Sequence, residues 1–308
     1  MPRALCISSH EVAAEYGARA LETRDSALEA VLTGFFAAAA VEPGVLFGPL
    51  GLLAGGTGEG ARAYDGRARQ PGLSGKRPRG FLPGQEPAAA ARVAVPAGIS
   101  ALAVSTSYHG QVSWAACCRP GISLARQEGA PGRAVLLDHV AGLGARALSE
   151  TSVSRAWISQ FGPVQGGQVT AGDLKARAGL DLLASSDDGA RVGLPWPAAQ
   201  GPEPANQGGR AHALVAVDAR GLFVALAFTA LSSPLELAGY EVTVPLLAEP
   251  VLRGVSRVAP GTPLGGVLPV GLVRDAGAIV SVEAELGAGR AALRLYRDRE
   301  TREVSRID

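Results

Sequence analysis

Apolar positions along this chain follow two periods, and the change from one to the other divides it into elements. From Ser8 to Leu21 and from Ser26 to Ala40 they recur at helical spacing, and each run opens on a serine three residues ahead of a glutamate, Ser8 with Glu11 and Ser26 with Glu29. That spacing predicts two capping boxes, in which hydroxyl and carboxylate satisfy backbone N–H groups left free in the first turn. The second run is apolar on all sides between Val31 and Val41, which predicts a central core helix stopped at Glu42-Pro43-Gly44. Alternation then takes over. It predicts a strand near Leu50–Ala54, a glycine turn at Gly55–Gly60 and a return strand near Ala61–Tyr64. The clearest hairpin lies between Asn206 and Leu231: strands Ala211–Asp218 and Leu222–Thr229, an Ala219-Arg220-Gly221 turn, and a Gly208-Gly209 approach with few side chains. Another hairpin is expected about Asp275-Ala276-Gly277, followed by a short glycine turn and a final strand or helix. The charged tail YRDRETREVSRID reads as an exposed end.

Proline and glycine mark what lies between. Asp65 to Arg92, with Lys76-Arg77-Pro78-Arg79, reads as a surface loop, and Lys175 to Gly209 as a connecting loop without a fold of its own. The GTGEG segment is a hairpin turn and not a phosphate loop, because no helix opening on Lys-Ser or Lys-Thr follows it.

Composition narrows the classes. With 29 basic and 28 acidic residues among 308, the net charge of +1 gives no general attraction to nucleic acid or to an anionic membrane. No apolar run reaches the ~18 residues of a membrane span. Cys6, Cys117 and Cys118 form neither a disulfide framework nor a CxxC metal site, which suits a reducing compartment and a cytoplasmic protein. His10, His109, His139 and His212 are scattered without ligand spacing, so neither metal nor cofactor is expected.

Six stretches, in order, carry a resemblance: SSHEVAAEYGARAL, the buried helix ending VEP, the hairpin ending YDGRARQP, VAVPAGISALAVSTSYHG, VSWAACCRPGISLARQEG and GGQVTAGDL. Along residues 7–175 the chain resembles the gamma-glutamyltransferases, which are N-terminal-nucleophile hydrolases. The resemblance implies an α+β fold, a four-layer αββα sandwich of antiparallel sheets flanked by helices. It implies one domain over residues 1–308, with a large-subunit-like part (1–175), a shortened connection (176–209) and a small-subunit-like part (210–308). In the family a long helical region separates the last motif from the catalytic hairpin; here residues 175–209 replace it.

The same resemblance tests the chemistry. An N-terminal nucleophile needs a Thr, Ser or Cys whose side chain attacks first its own backbone carbonyl and then a substrate amide, with the freed α-amine as base. Counting back from Gly221, that position falls on Ala211, between Arg210 and His212, and no Ser, Thr or Cys occurs from Asn206 to Val217. His212 is the one reactive side chain close by, and a lone histidine at a strand start is ordinarily a packing residue. For substrate binding, the family's carboxylate-holding arginine corresponds to Lys76 or Arg77. Its serine pair corresponds to Gly265 and Gly266 of PLGGVLP, and its strand hydroxyl to Thr229. The asparagine after the second strand falls on Leu231. Gly287 and Gly289 stand where a glycine pair would stabilise an oxyanion. The resemblance therefore implies an uncleaved, non-catalytic relative with a gamma-glutamyl or amino-acid-like ligand, or a place in a homo- or hetero-oligomer. The alternatives are an amidase with a non-standard nucleophile and a subunit completing a site with an intact relative.

Overall fold

The computed structural model describes residues 2–56, 60–76, 78–111, 113–175, 179–182, 191–194, 209–285 and 292–307. Strand β1 (Leu5–Ser8) leads into α1 (Glu11–Arg24) and α2 (Ala27–Val41), then β2 (Leu50–Gly56), β3 (Ala61–Gly66) and β4 (Ala68–Arg69). Four helices follow: α3 (Gly98–His109), α4 (Trp114–Gln127), α5 (Pro131–Leu143) and α6 (Thr151–Phe161). Strands then follow: β5 (Gly179–Leu182), β6 (Arg191–Gly193), β7 (Arg210–Val217), β8 (Leu222–Ala230), β9 (Glu236–Leu237) and β10 (Val242–Thr243). Strands β11 (Pro263–Leu264), β12 (Val270–Asp275), β13 (Ala278–Ala284), β14 (Leu293–Arg297) and β15 (Val304–Arg306) complete the series.

Two antiparallel sheets stack face to face, one ordered β1-β7-β8-β2-β3-β5 and the other β15-β14-β13-β12-β6. Strand alternation divides the core between them. Leu214, Ala216, Val224, Leu226 and Phe228 face the helices, while Ala213, Val215, Ala225 and Ala227 face the second sheet and meet Leu272, Val282 and Leu295. Helix α2 lies under the first sheet, with every residue from Ala27 to Ala40 buried, as its all-round apolar sequence predicts. Gly34 permits this: a Cβ there would come within 2.5 Å of Ala13 O on α1 and 2.7 Å of Leu214 Cδ1 on β7.

The α+β sandwich of antiparallel sheets and flanking helices is thus present. Among the described residues three of its layers form, one of helices and two of sheet. The outer face of the second sheet carries charge instead, where Glu283 pairs with Arg191 at 2.6 Å and Arg294 at 3.2 Å.

Several local expectations change. Ser26 caps α2, accepting from Glu29 N at 3.4 Å, but Ser8 does not cap α1. It ends β1, and His10 takes the cap, its Nδ1 accepting from Ala13 N at 3.3 Å. The 175–209 connection is not wholly without structure, since β5 extends the first sheet beside β3 and β6 extends the second beside β12. The charged tail is not merely an exposed end: β15 pairs with β14. The loop from Asp65 to Arg92 contains β4, which pairs with β11. The turn after Asp275 is as expected, with Ala276 and Gly277 both left-handed, at φ 43° and 82°. All three cysteines are free and buried, and burial pushes the Cys6 thiol up to about 12 and Cys117 to about 11. Among the described residues no helix is long and apolar enough to cross a membrane.

Candidate functional site

The hairpin β7–β8 is fixed from its turn. Asp218, fully buried, accepts through Oδ1 from the backbone N–H groups of Arg220 (3.1 Å), Gly221 (3.0 Å) and Leu222 (3.0 Å), and through Oδ2 from Ala27 N (3.2 Å) at the start of α2. One carboxylate therefore closes the turn and pins it to the core helix, with Gly221 left-handed at φ 93°. From the second sheet, Arg297 donates to Ala219 O at 2.9 Å.

The ladder running back from that turn sets Ala211 opposite Thr229 and His212 opposite Phe228. Since Ala213 and Ala227 face the second sheet, the alternation puts Ala211 and Thr229 on that same face, between the sheets. His212 falls on the other. Its ring stacks on Phe228 at 5.5 Å and meets the His10 ring edge-on at 5.0 Å, under the helices. The histidine next to Ala211 thus cannot reach the face on which Ala211 lies.

A cluster that sequence spacing did not reveal surrounds His212. His10 Nε2 lies 3.3 Å from Glu42 Oε2, and Arg210 donates to Glu42 Oε1 at 3.0 Å, so the residue preceding Ala211 is tied to the C-terminal end of α2. The helix cap on His10 Nδ1 and the carboxylate on Nε2 fix a neutral imidazole with its proton on Nε2. Burial holds the His10 pKa below its ordinary value, against the opposing pull of Glu42. His212 is lowered by burial first and then by His10, with Glu42 and the Ser9 backbone opposing, and among the described residues neither of its buried ring nitrogens has a hydrogen-bond partner of good geometry. Among the described residues no group of three or more His, Cys, Asp or Glu could hold a metal.

Of the residues singled out from sequence, the fold pairs Ala211 with Thr229 and sets Gly265 against Pro49, the residue before β2. Thr229 donates its backbone N–H to Pro49 O at 3.1 Å, and a Cβ on Gly265, left-handed at φ 77°, would lie 3.2 Å from Pro49 Cγ. Gly209 runs beside them, where a Cβ would come within 3.0 Å of Thr229 Cγ2. Gly266 is half-buried beside Gly265. Lys76 is exposed and makes no hydrogen bond or ion pair among the described residues. Arg77, Gly287 and Gly289 lie outside the described residues. At Ala211 the chain offers a methyl group, which neither attacks a carbonyl nor carries a proton.

No family model matches the chain, and no curated protein matches it. Solved structures do. It is similar to cephalosporin acylase from Bacillus halodurans, at 14% identity over 90% of this chain and 76% of that one, with a TM-score of 0.62. It is similar to the structure of LmbA2991HD, at 15% identity over 93% of this chain and 78% of that one, with a TM-score of 0.64. It also matches gamma-glutamyltranspeptidase from Helicobacter pylori at 18% identity over 61% of this chain and 68% of that one, with a TM-score of 0.49.

This is the N-terminal-nucleophile hydrolase fold. At such identities the likeness is one of architecture, which by itself does not transfer an activity. Within an N-terminal-nucleophile hydrolase architecture, the hairpin β7–β8 occupies the middle of the first sheet, and its inter-sheet face holds Ala211 and Thr229.

Proposed function

We propose that this chain is a gamma-glutamyltransferase-like protein without the N-terminal nucleophile, remaining a single uncleaved chain and acting by binding, to an amino-acid-like or gamma-glutamyl ligand or to a partner subunit. The observation that carries this reading is the pairing of Ala211 with Thr229 on the inter-sheet face, while His212 lies on the opposite face. Self-cleavage and turnover both start from one side-chain nucleophile. A methyl group at that position removes both steps at once. Denaturing electrophoresis and intact-mass measurement test it. One species at 31.3 kDa is expected. Two fragments meeting near Arg210 would overturn the reading.

One observation favours a second reading, an amidase with a non-standard nucleophile. Thr229 carries a hydroxyl on the same face as Ala211, with no hydrogen-bond partner for it among the described residues. Turnover of a chromogenic gamma-glutamyl anilide that disappears in Thr229→Val would establish this reading in place of the first.

A further inference from the structure

A cavity of about 300 Å³ opens on the helical side of the molecule, where the start of α3 meets β4, the 3₁₀ turn Gly144–Ser149 and the loop at Pro260. Neither Ala211, Thr229 nor Gly265 lines it. Its size is at the small end of ligand pockets.

Helix α3 begins without a side-chain cap. Its N-cap is Ala97, and the N–H groups of Gly98, Ile99 and Ser100 have no acceptor among the described residues. Uncapped N–H groups at a helix start carry partial positive charge and bind anions. The second observation is Ser100 itself, which lines the cavity, is only 7% exposed, and has no hydrogen-bond partner for its hydroxyl among the described residues. Later on the same helix Ser105, Thr106 and Ser107 each donate to a carbonyl about one turn back, at 2.7, 3.0 and 3.4 Å. Ser100 is the exception, and it is the one at the cavity.

Charge agrees. Arg69 lines the cavity and uses only Nη2 on Asp65, at 3.0 Å to the carboxylate and 3.3 Å to the carbonyl, which leaves Nε and Nη1 without a partner among the described residues. Lys175 adds a second cation at the wall. The acid on the wall, Asp173, is already engaged: it accepts from the N–H groups of Gly72, Leu73 and Thr170 and from the Thr170 hydroxyl. The remaining surface is largely apolar, with Val95, Leu148, Leu174 and Pro260.

We infer that this cavity binds a small organic carboxylate, with its head on the α3 N-terminus, Ser100 and Arg69 and its apolar body against Val95 and Leu148. The inference does not depend on whether the chain is cleaved. It is tested on the full chain by calorimetric titration with butyrate, valerate and benzoate, each beside its neutral amide. The acids are expected to bind at least about tenfold more tightly than the amides, since charge-assisted hydrogen bonds are the stronger ones. Arg69→Gln and Ser100→Val are each expected to weaken the acid about tenfold. Ser100→Val keeps the test open if Arg69→Gln, which also loses the Asp65 pair, fails to fold. Equal binding of acid and amide, wild-type affinity in a folded Ser100→Val protein, or no heat from any of the three acids would overturn it.

Discussion

Ala211 and Thr229 face one another across the β7–β8 ladder, with their side chains in the space between the two sheets. Cross-strand neighbours of this kind have Cβ atoms about 5 Å apart, so the Thr229 side chain stands directly across the ladder from the position where the family resemblance expects a nucleophile. Proximity alone supplies no base, and the closest imidazole is on the wrong side of the strand.

Ala211→Thr should therefore leave the chain intact. Ala211 is half-buried, and threonine suits a strand, so stability is expected to stay within about 0.5 kcal/mol of the parent. Denaturing electrophoresis after prolonged incubation checks the outcome. Fragments ending near Arg210 would show that the rest of the machinery for self-cleavage survives.

His212 is a polar group buried at a cost. Its two ring nitrogens have no hydrogen-bond partner among the described residues, and a buried unsatisfied polar atom costs about 1–3 kcal/mol. His212→Leu removes that cost at similar volume and is expected to raise stability by about 1 kcal/mol, read from the urea midpoint with an unchanged slope.

The same histidines set a pH dependence. Burial holds both His10 and His212 below the ordinary 6.5, with Glu42 opposing the shift and Arg210 reinforcing it. The unfolded chain then takes up protons at a higher pH than the folded one, so stability is full above about 6.5 and falls as the pH drops from there toward the lowered folded values. Urea titrations at successive pH values should show this decline. It should be shallower in His212→Leu.

Asp218 holds the hairpin to the core. Asp218→Ala removes the acceptor of four backbone N–H groups, at Ala27, Arg220, Gly221 and Leu222, and is expected to cost about 3–5 kcal/mol, the range for breaking a buried charged network. Chemical denaturation measures it. A loss below about 1 kcal/mol would mean that water satisfies the turn as well as the carboxylate does.

Gly34→Ala sets helix propensity against packing. Alanine gains about 1 kcal/mol in a helix, but its Cβ would meet Ala13 O at 2.5 Å and Leu214 Cδ1 at 2.7 Å. Backbone on one side and a core side chain on the other leave little room to yield. A net loss of about 1–3 kcal/mol is expected from overpacking, observable as a lowered melting temperature.

What was legible in the sequence was local. The all-apolar run of α2, the serine cap at Ser26, the β7–β8 hairpin and the turn at Ala276-Gly277 each carry their signal within a few residues, because periodicity and turn chemistry act at that range. The short edge strands β1, β5, β6 and β15 carried none. They are three or four residues long and exist only because a longer strand offers them a ladder.

The sequence by itself determined which residue types stand on the hairpin, and so that Ala211 rather than a hydroxyl or thiol occupies the position in question. The tertiary structure decided which way those residues face. A strand turns successive side chains to opposite sides, so whether Thr229 or His212 shares a face with Ala211 depends on which face of the hairpin is covered by α2 and which by the second sheet. Likewise His10, Glu42 and His212 are far apart in sequence and meet only because β1, α2 and β7 pack together. The cavity at α3 arises in the same way, from β4, α3 and the Pro260 loop, whose contacts are long-range and leave no mark in any single stretch of chain.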